Sequence, residues 1–156
     1  MMIIRSATAA DSQGILEAHQ DSIRKVASKD YNALQVAGWS DHLTPEGYVR
    51  AMEKGEVMFV AILDGKIVGF SAIKAGNVRA LYVASHGIGK GIAKKLYAEL
   101  ENVAKKDRIT KLTLSSSLTA EGFYTHMGFK KIEMSAHRLG SGVEIPCVKM
   151  EKFVFL

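Results

Sequence analysis

The chain has 156 residues, of which 47% are hydrophobic and 24% charged, a balance that fits a folded globular protein and excludes a disordered or fibrous one. Its net charge of +5, from 21 Lys and Arg against 16 Asp and Glu, suits an anionic ligand but is too small to argue for a polyanion by itself. The single cysteine, Cys147, excludes an intramolecular disulfide, no Cys/His spacing suits a metal, and no run approaches the roughly 18 apolar residues of a membrane span.

The length suits one domain over residues 1–156, and the apolar run at the N-terminus is too short for a secretory signal, so the expected compartment is the cytoplasm. "IIRSA" (3–7) predicts a first strand. Thr8 followed by Asp11 is a capping signal for a helix carrying Ile15, Leu16, His19, Ile23 and Val26 at helical spacing. "KDYNALQVAGW" predicts a second short helix ending near Gly38. "TPEGYVRAMEKG" predicts a third, with Thr44 as cap, Pro45 in the first turn and Gly55 as the stop. "VMFVAIL", "DG" and "KIVGFSAIK" then spell a β-hairpin around a tight-turn dipeptide. "NVRALYVA" (77–84) adds a further strand. Past three glycines, Ile88, Ile92, Leu96, Leu100 and Val103 form one apolar stripe, with Lys90, Lys94 and Lys95 near its start. "KLTLSS" (111–116), a short helix in "TAEGFYTHM" and two closing strands complete the chain. This order predicts an α/β fold, a sheet with helices on both faces.

The stretch "LYVASHGIGKGIAKKL" is the first with chemistry in it. A glycine-rich turn entering a helix exposes backbone N–H groups in the positive field of the helix dipole and so binds phosphates. The phosphate loop G-x-x-x-x-G-K-[ST] fails here, because Gly91 is followed by Ile92. The dinucleotide pattern G-x-G-x-x-G fails from Gly87, where Ile92 takes the last place, and from Gly89, where Lys94 does.

Ile88, Gly89, Lys90, Gly91, Ile92 and Ala93 instead resemble the acetyl-CoA pyrophosphate loop of GNAT-type (Gcn5-related) N-acetyltransferases, with Ile88 where Gln or Arg is usual. Downstream, "SLTAEGFYTHMGF" (117–129) is similar to a second motif of that family, through Ser117, Ala120, Phe123, Tyr124, Gly128 and Phe129. The resemblance covers nearly the whole chain. It implies a GNAT fold, with a mixed, mostly antiparallel sheet of six to seven strands that splays into a V between "NVRALYVA" and "KLTLSS". It further implies acetyl-CoA as co-substrate and no metal. The pantetheine arm is expected against the backbone of Leu81, Tyr82 and Val83, and the diphosphate on N–H groups from about Ile88 to Lys94, with Tyr124 facing the CoA sulfur and Ser117 also among the cofactor-binding residues. The acceptor is expected to be a small-molecule or peptide amine, and a homodimer is a family-level expectation.

Acetyl transfer from a thioester to an amine needs an amine that has lost its proton, a stabilised carbonyl oxygen and a protonated leaving thiolate. By resemblance, Tyr124 is the general acid. Many relatives carry a Glu where this chain has Asn77, which cannot take up a proton at neutral pH. His19, His42, His86 and His126 titrate in the right range, but nothing in the pattern selects one, and no base is assigned. The segment 31–48 is expected to wall the acceptor pocket through Tyr31 and Trp39, with "LGSGVE" (139–144) closing the other side. Cys147 lies far along the sequence from both motifs, which disfavours an acetyl-cysteine route. The alternative is a non-catalytic acyl-CoA binder or sensor on the same fold. A nucleic-acid reader would need a recognisable motif or interleaved aromatics beside "GKGIAKK", and neither is present.

Overall fold

A computed structural model describes residues 1–155. Strand β1 (Met2–Ser6) is followed by α1 (Ser12–Asp21), α2 (Ala33–Ser40) and α3 (Pro45–Glu53). Then come β2 (Val57–Leu63), β3 (Lys66–Lys74), β4 (Asn77–Val83), α4 (Ile92–Lys106), β5 (Lys111–Ser117), α5 (Glu121–His126), β6 (Lys130–Arg138) and β7 (Glu144–Phe153). The seven strands form one sheet in the order β1-β2-β3-β4-β5-β7-β6, with every neighbouring pair antiparallel except β4 and β5.

Local chemistry sets these boundaries. The Asp11 carboxylate accepts from the Thr8 N–H and binds Arg5 through both oxygens, at 2.8 Å in each case. The second helix starts later than its sequence predicts, because Asn32 and Gln35 form a reciprocal capping box, and it runs two residues past Gly38. Thr44 caps α3 as expected and Pro45 opens it. The β2–β3 turn places Asp64 and Gly65 at φ of 50° and 82°, the left-handed pair of a two-residue hairpin.

The sheet is covered on both faces. On one side Ile92, Leu96, Tyr97, Leu100 and Ala104 of α4 pack on Phe59, Val68, Ile73, Val78, Leu112 and Leu114. On the other, Ile15 of α1 and Tyr48 of α3 pack on Met58, Val60, Phe70 and Ala72. The expected stripe of α4 needs one correction. Ile88 precedes the helix and is 54% exposed, so the buried row begins at Ile92.

Two irregularities open the sheet. In the β3–β4 register Ile73 pairs with Val78 but Ala72 pairs with Ala80, so Arg79 is an extra residue bulged out of β4. Beside it, the parallel β4–β5 pair lasts only for Asn77 with Thr113 and Val78 with Leu114, after which the strands part. From Arg79 onward β4 has no strand on its β5 side. This is the predicted V.

Candidate active site

Three cavities meet in that V. The first, on the α4 side and about 360 Å³, is lined by Leu81, Tyr82 and Val83 of β4, by residues of the loop from Gly87 to Lys94, and by Ser117, Ala120, Phe123 and Tyr124. A slot of about 30 Å³ between the diverging strands runs from Val78–Tyr82 to Leu114–Ser117 and reaches Tyr124. A third cavity of about 570 Å³ opens on the α1–α2 face and shares Tyr82 and Ser117 with the first. Of the expected cofactor-side residues, only Lys90 falls outside the lining of the first cavity.

The glycine loop is shaped by backbone geometry. Residues Ser85–Gly87 form a single 3-10 turn, held by the Asp21 carboxylate, which accepts from the Ser85 N–H at 2.6 Å. Gly89 and Gly91 hold φ of +80° and +75°, and a Cβ on either would meet nothing within 4 Å. Gly87 serves packing instead, because its Cβ would stand 3.0 Å from Val83. The first intrahelical bond of α4 runs from Lys95 N–H to Gly91 O at 3.3 Å, so the N–H groups of Ile92, Ala93 and Lys94 have no acceptor within the helix. Ile88 is less available than the sequence suggested, since its N–H turns back toward Ser85 O at 3.4 Å. The result is a concave run of free N–H groups at the positive end of a 15-residue helix, beside an apolar cavity. These residues fit a diphosphate followed by an extended, mostly apolar arm.

Ser22, Val26 and Ala27 also line this cavity, and sequence reasoning missed them. The helical period of α1 continues through Ile23 and Val26, but the chain widens into a π-turn over Ser22–Val26 and swings these residues to the cavity.

Tyr124 is 5% exposed, and its ring stands edge-on to Phe123 and Phe129 at centroid distances of 5.4 and 5.5 Å. Among the described residues its hydroxyl has no hydrogen-bond partner, and burial, with a smaller contribution from nearby Tyr82, holds the phenol well above its ordinary pKa. It is therefore a protonated O–H, the form a proton donor needs. Ser117 Oγ accepts from Ala120 N–H at 3.1 Å and so shapes the turn that presents α5.

The third cavity gathers residues that lie far apart in sequence: His19, Tyr31, Trp39, Arg79, Tyr82, Ser115, His137, Cys147 and Lys149 among them. Tyr31 and Trp39 both lie in this lining, with ring centroids 5.4 Å apart. The Tyr31 hydroxyl is already engaged, donating to Pro146 O at 2.8 Å and accepting from Leu118 N–H at 2.9 Å. It is a cross-tie as much as a wall. Of "LGSGVE", Leu139 reaches the lining. Cys147 is nearer than its sequence position suggested. Strand β7 inserts between β5 and β6, and this sets Cys147 opposite Ser117 and Ser135.

Of the four candidate histidines His19 is the one in this lining, and His137, which the sequence did not single out, lines it as well. His19 is 8% exposed, Nδ1 lies 2.8 Å from the Tyr48 hydroxyl, and Nε2 is buried without a partner. Burial pushes its pKa down to about 3, so the imidazole is neutral near pH 7. No Asp or Glu lines any of the three cavities among the described residues. Asn77 instead donates from Nδ2 to Thr113 Oγ1 at 2.9 Å and Thr113 O at 3.3 Å, at the first of the two β4–β5 pairs. No metal-binding group of three or more His, Cys, Asp or Glu occurs among the described residues, and none of their helices is long and apolar enough to cross a membrane.

Comparison with known proteins agrees with this geometry. The chain is 28% identical over 100 residues to N-acetylaspartate synthetase of Xenopus tropicalis, covering 58% of this chain but only 37% of that protein's length. It is 25% identical over 130 residues to the uncharacterized N-acetyltransferase YafP of Escherichia coli, covering 83% and 82%. Among solved structures, a GCN5-related N-acetyltransferase from Rhodopseudomonas palustris superposes with a TM-score of 0.90 at 23% identity, over 97% and 95% of the two chains. The PaiA N-acetyltransferase of Thermoplasma acidophilum, solved with coenzyme A, gives 0.76 at 22% identity, over 98% and 99%. The sequence profile described as "Acetyltransferase (GNAT) domain" matches residues 27–153, and the chain belongs to that acyltransferase family.

Proposed function

We propose that the protein transfers the acetyl group of acetyl-CoA to a primary amine by direct transfer in a ternary complex, with Tyr124 as general acid. The observation that carries this reading is the slot. It joins a cavity suited to a diphosphate and its arm with a second cavity on the opposite face, and Tyr124 lines both the slot and the first cavity. Acetyl-CoA would supply the activated acyl group. The N–H groups of Gly91, Ile92, Ala93 and Lys94 would bind its diphosphate, and the free edge of Leu81–Val83 would orient the arm as an added strand. A backbone N–H of that edge would stabilise charge on the carbonyl oxygen, and Tyr124 Oη would give its proton to the leaving sulfur. With no carboxylate on the lining, the amine would lose its proton to water.

Two measurements test this. Acetyl-CoA at about 100 times its Kd should stabilise the protein by roughly 2.7 kcal/mol, whereas ATP and NAD at equal concentration should not. Initial rates against both substrates should give intersecting double-reciprocal lines, and Cys147→Ser should keep its activity. Parallel lines with an inactive Cys147→Ser would replace direct transfer by a covalent route. A non-catalytic acyl-CoA binder draws support from the carboxylate-free lining. It predicts a thermal shift with acetyl-CoA but no thiol release with any amine.

A further inference from the structure

We infer that the cavity on the α1–α2 face takes an amine that also carries an oxyanion, a carboxylate or a phosphonate, with Arg79 as the anion-binding residue and Lys149 beside it. The inference rests on the transferase reading for the position of the amine, and it adds the chemical class of the acceptor.

Arg79 and Lys149 are the two charged residues in the lining of this cavity, and both are cationic. A polyamine or a basic peptide would bring further positive charge into a space without a carboxylate to receive it, which costs binding. An oxyanion faces the opposite situation. Among the described residues the exposed Arg79 makes no ion pair and no guanidinium hydrogen bond; Arg50 and Arg108 are likewise unpaired, but Arg79 alone of the three lies in this lining, whereas Arg5, Arg24 and Arg138 each pair with an Asp or Glu. Lys149 meets only Glu133, at 3.7 Å on an exposed strand. Glu151, two residues further along β7, approaches Lys111 at 3.8 Å and does not reach the lining.

The backbone explains the position of Arg79. As the extra residue of the β4 bulge it leaves the β3 register, and it lines both the slot and the acceptor cavity. Bulges re-aim side chains in this way. The guanidinium fork matches a carboxylate and a phosphonate alike. The rest of the wall suits the remainder of such a molecule: Trp39, Tyr82 and Ile145 offer apolar faces, and neutral His19, with Nε2 buried and unpartnered, adds a polar atom without a third cation. A volume of about 570 Å³ lies in the range of small-molecule sites.

The test uses product analogues, so that binding is read without turnover. A panel of N-acetyl amino acids with acidic, polar and apolar side chains, the matched amides, N-acetyl-2-aminoethylphosphonate and N1-acetylspermidine are titrated calorimetrically into the protein, with and without CoA. At least one carboxylate or the phosphonate should bind ten-fold or more tightly than its neutral counterpart and than acetylspermidine, and the tighter of the two tells which oxyanion the site takes. Arg79→Gln should erase that preference with CoA affinity within two-fold of the parent, and Arg79→Lys should retain part of it. Amides binding as well as their acids, acetylspermidine binding best, or a preference that survives Arg79→Gln would each overturn the inference. An intact anion preference in a protein that does not bind acetyl-CoA would overturn the transferase reading and leave this one standing.

Discussion

Gly89 and Gly91 give the sharpest test of how a diphosphate would be held. Each sits at positive φ with empty space where a Cβ would go, so alanine there meets no neighbour. Its cost is conformational, about 1–2 kcal/mol for an L-residue kept in the left-handed region. In the ligand-free protein the loop can relax, because neither glycine is packed, and the unfolding free energy should change by less than about 0.5 kcal/mol. CoA needs the cradle in its observed shape, so the cost reappears in binding as a rise in Kd of roughly 5- to 30-fold for either substitution. Asparagine tolerates this backbone better, and Gly91→Asn should recover part of the loss. Ile88→Ala removes an exposed side chain and should change Kd by less than about two-fold. Calorimetric titration with CoA, paired with urea unfolding of each variant, separates binding from stability. Wild-type affinity in both alanine variants, or a larger loss for Ile88→Ala, would refute a cradle built from backbone N–H groups.

The other expectations concern chemistry and the buried polar ties. Tyr124→Phe should lower kcat by about 10²-fold or more with CoA affinity within two-fold, and an unchanged kcat would leave that ring a packing role only. With no carboxylate on the lining, kcat/KM should climb with pH toward the pKa of the acceptor amine, and His19→Gln should leave the shape of that profile unaltered; a limb near pH 6.5 that His19→Gln abolishes would make His19 the base. His19 has a folded pKa below its unfolded value. Its contribution to stability is therefore present above about pH 6.5 and is lost as pH falls from there toward 3, by at most about 1.4 kcal/mol per unit. Urea unfolding at pH 7 and 4.5 should show a smaller loss in His19→Gln than in the parent, and equal losses would contradict a buried neutral imidazole. Tyr31→Phe should cost about 1–3 kcal/mol by leaving Leu118 N–H and Pro146 O without their partner, and a cost below 0.5 kcal/mol by the same measurement would show that water replaces it.

Local signals carried the fold well. The "DG" hairpin, the Thr44–Pro45 helix start and the strand at 111–117 depend on neighbouring residues, and they fall where pattern and turn chemistry put them. The glycine loop and "AEGFYTHMGF" were legible because each packs its chemistry into a few consecutive residues. What was illegible depends on register or on wound geometry. The bulge that re-aims Arg79 leaves no mark in "NVRALYV", because only pairing with β3 reveals an unmatched residue. Cys147 is remote in sequence but close in space, because strand order is not chain order. Ser22 and Val26 read as ordinary helix, and only the widened turn takes them to the cavity. His19 was one of several equivalent histidines until burial and the Tyr48 contact separated it from the rest.

Asn77 stands where the family resemblance puts a carboxylate base, and its amide grips Thr113 at the closed end of the short β4–β5 contact. A wedge opens from its closed end, so a clasp there governs the gap at the far end, where Leu81 faces Ser117 and Tyr124. Reaction distances in this protein would then be set by a bond that touches no reactant. Asn77→Glu would install the missing carboxylate and at the same time unfasten the clasp. In that variant a gain of base and a loss of alignment would arrive together.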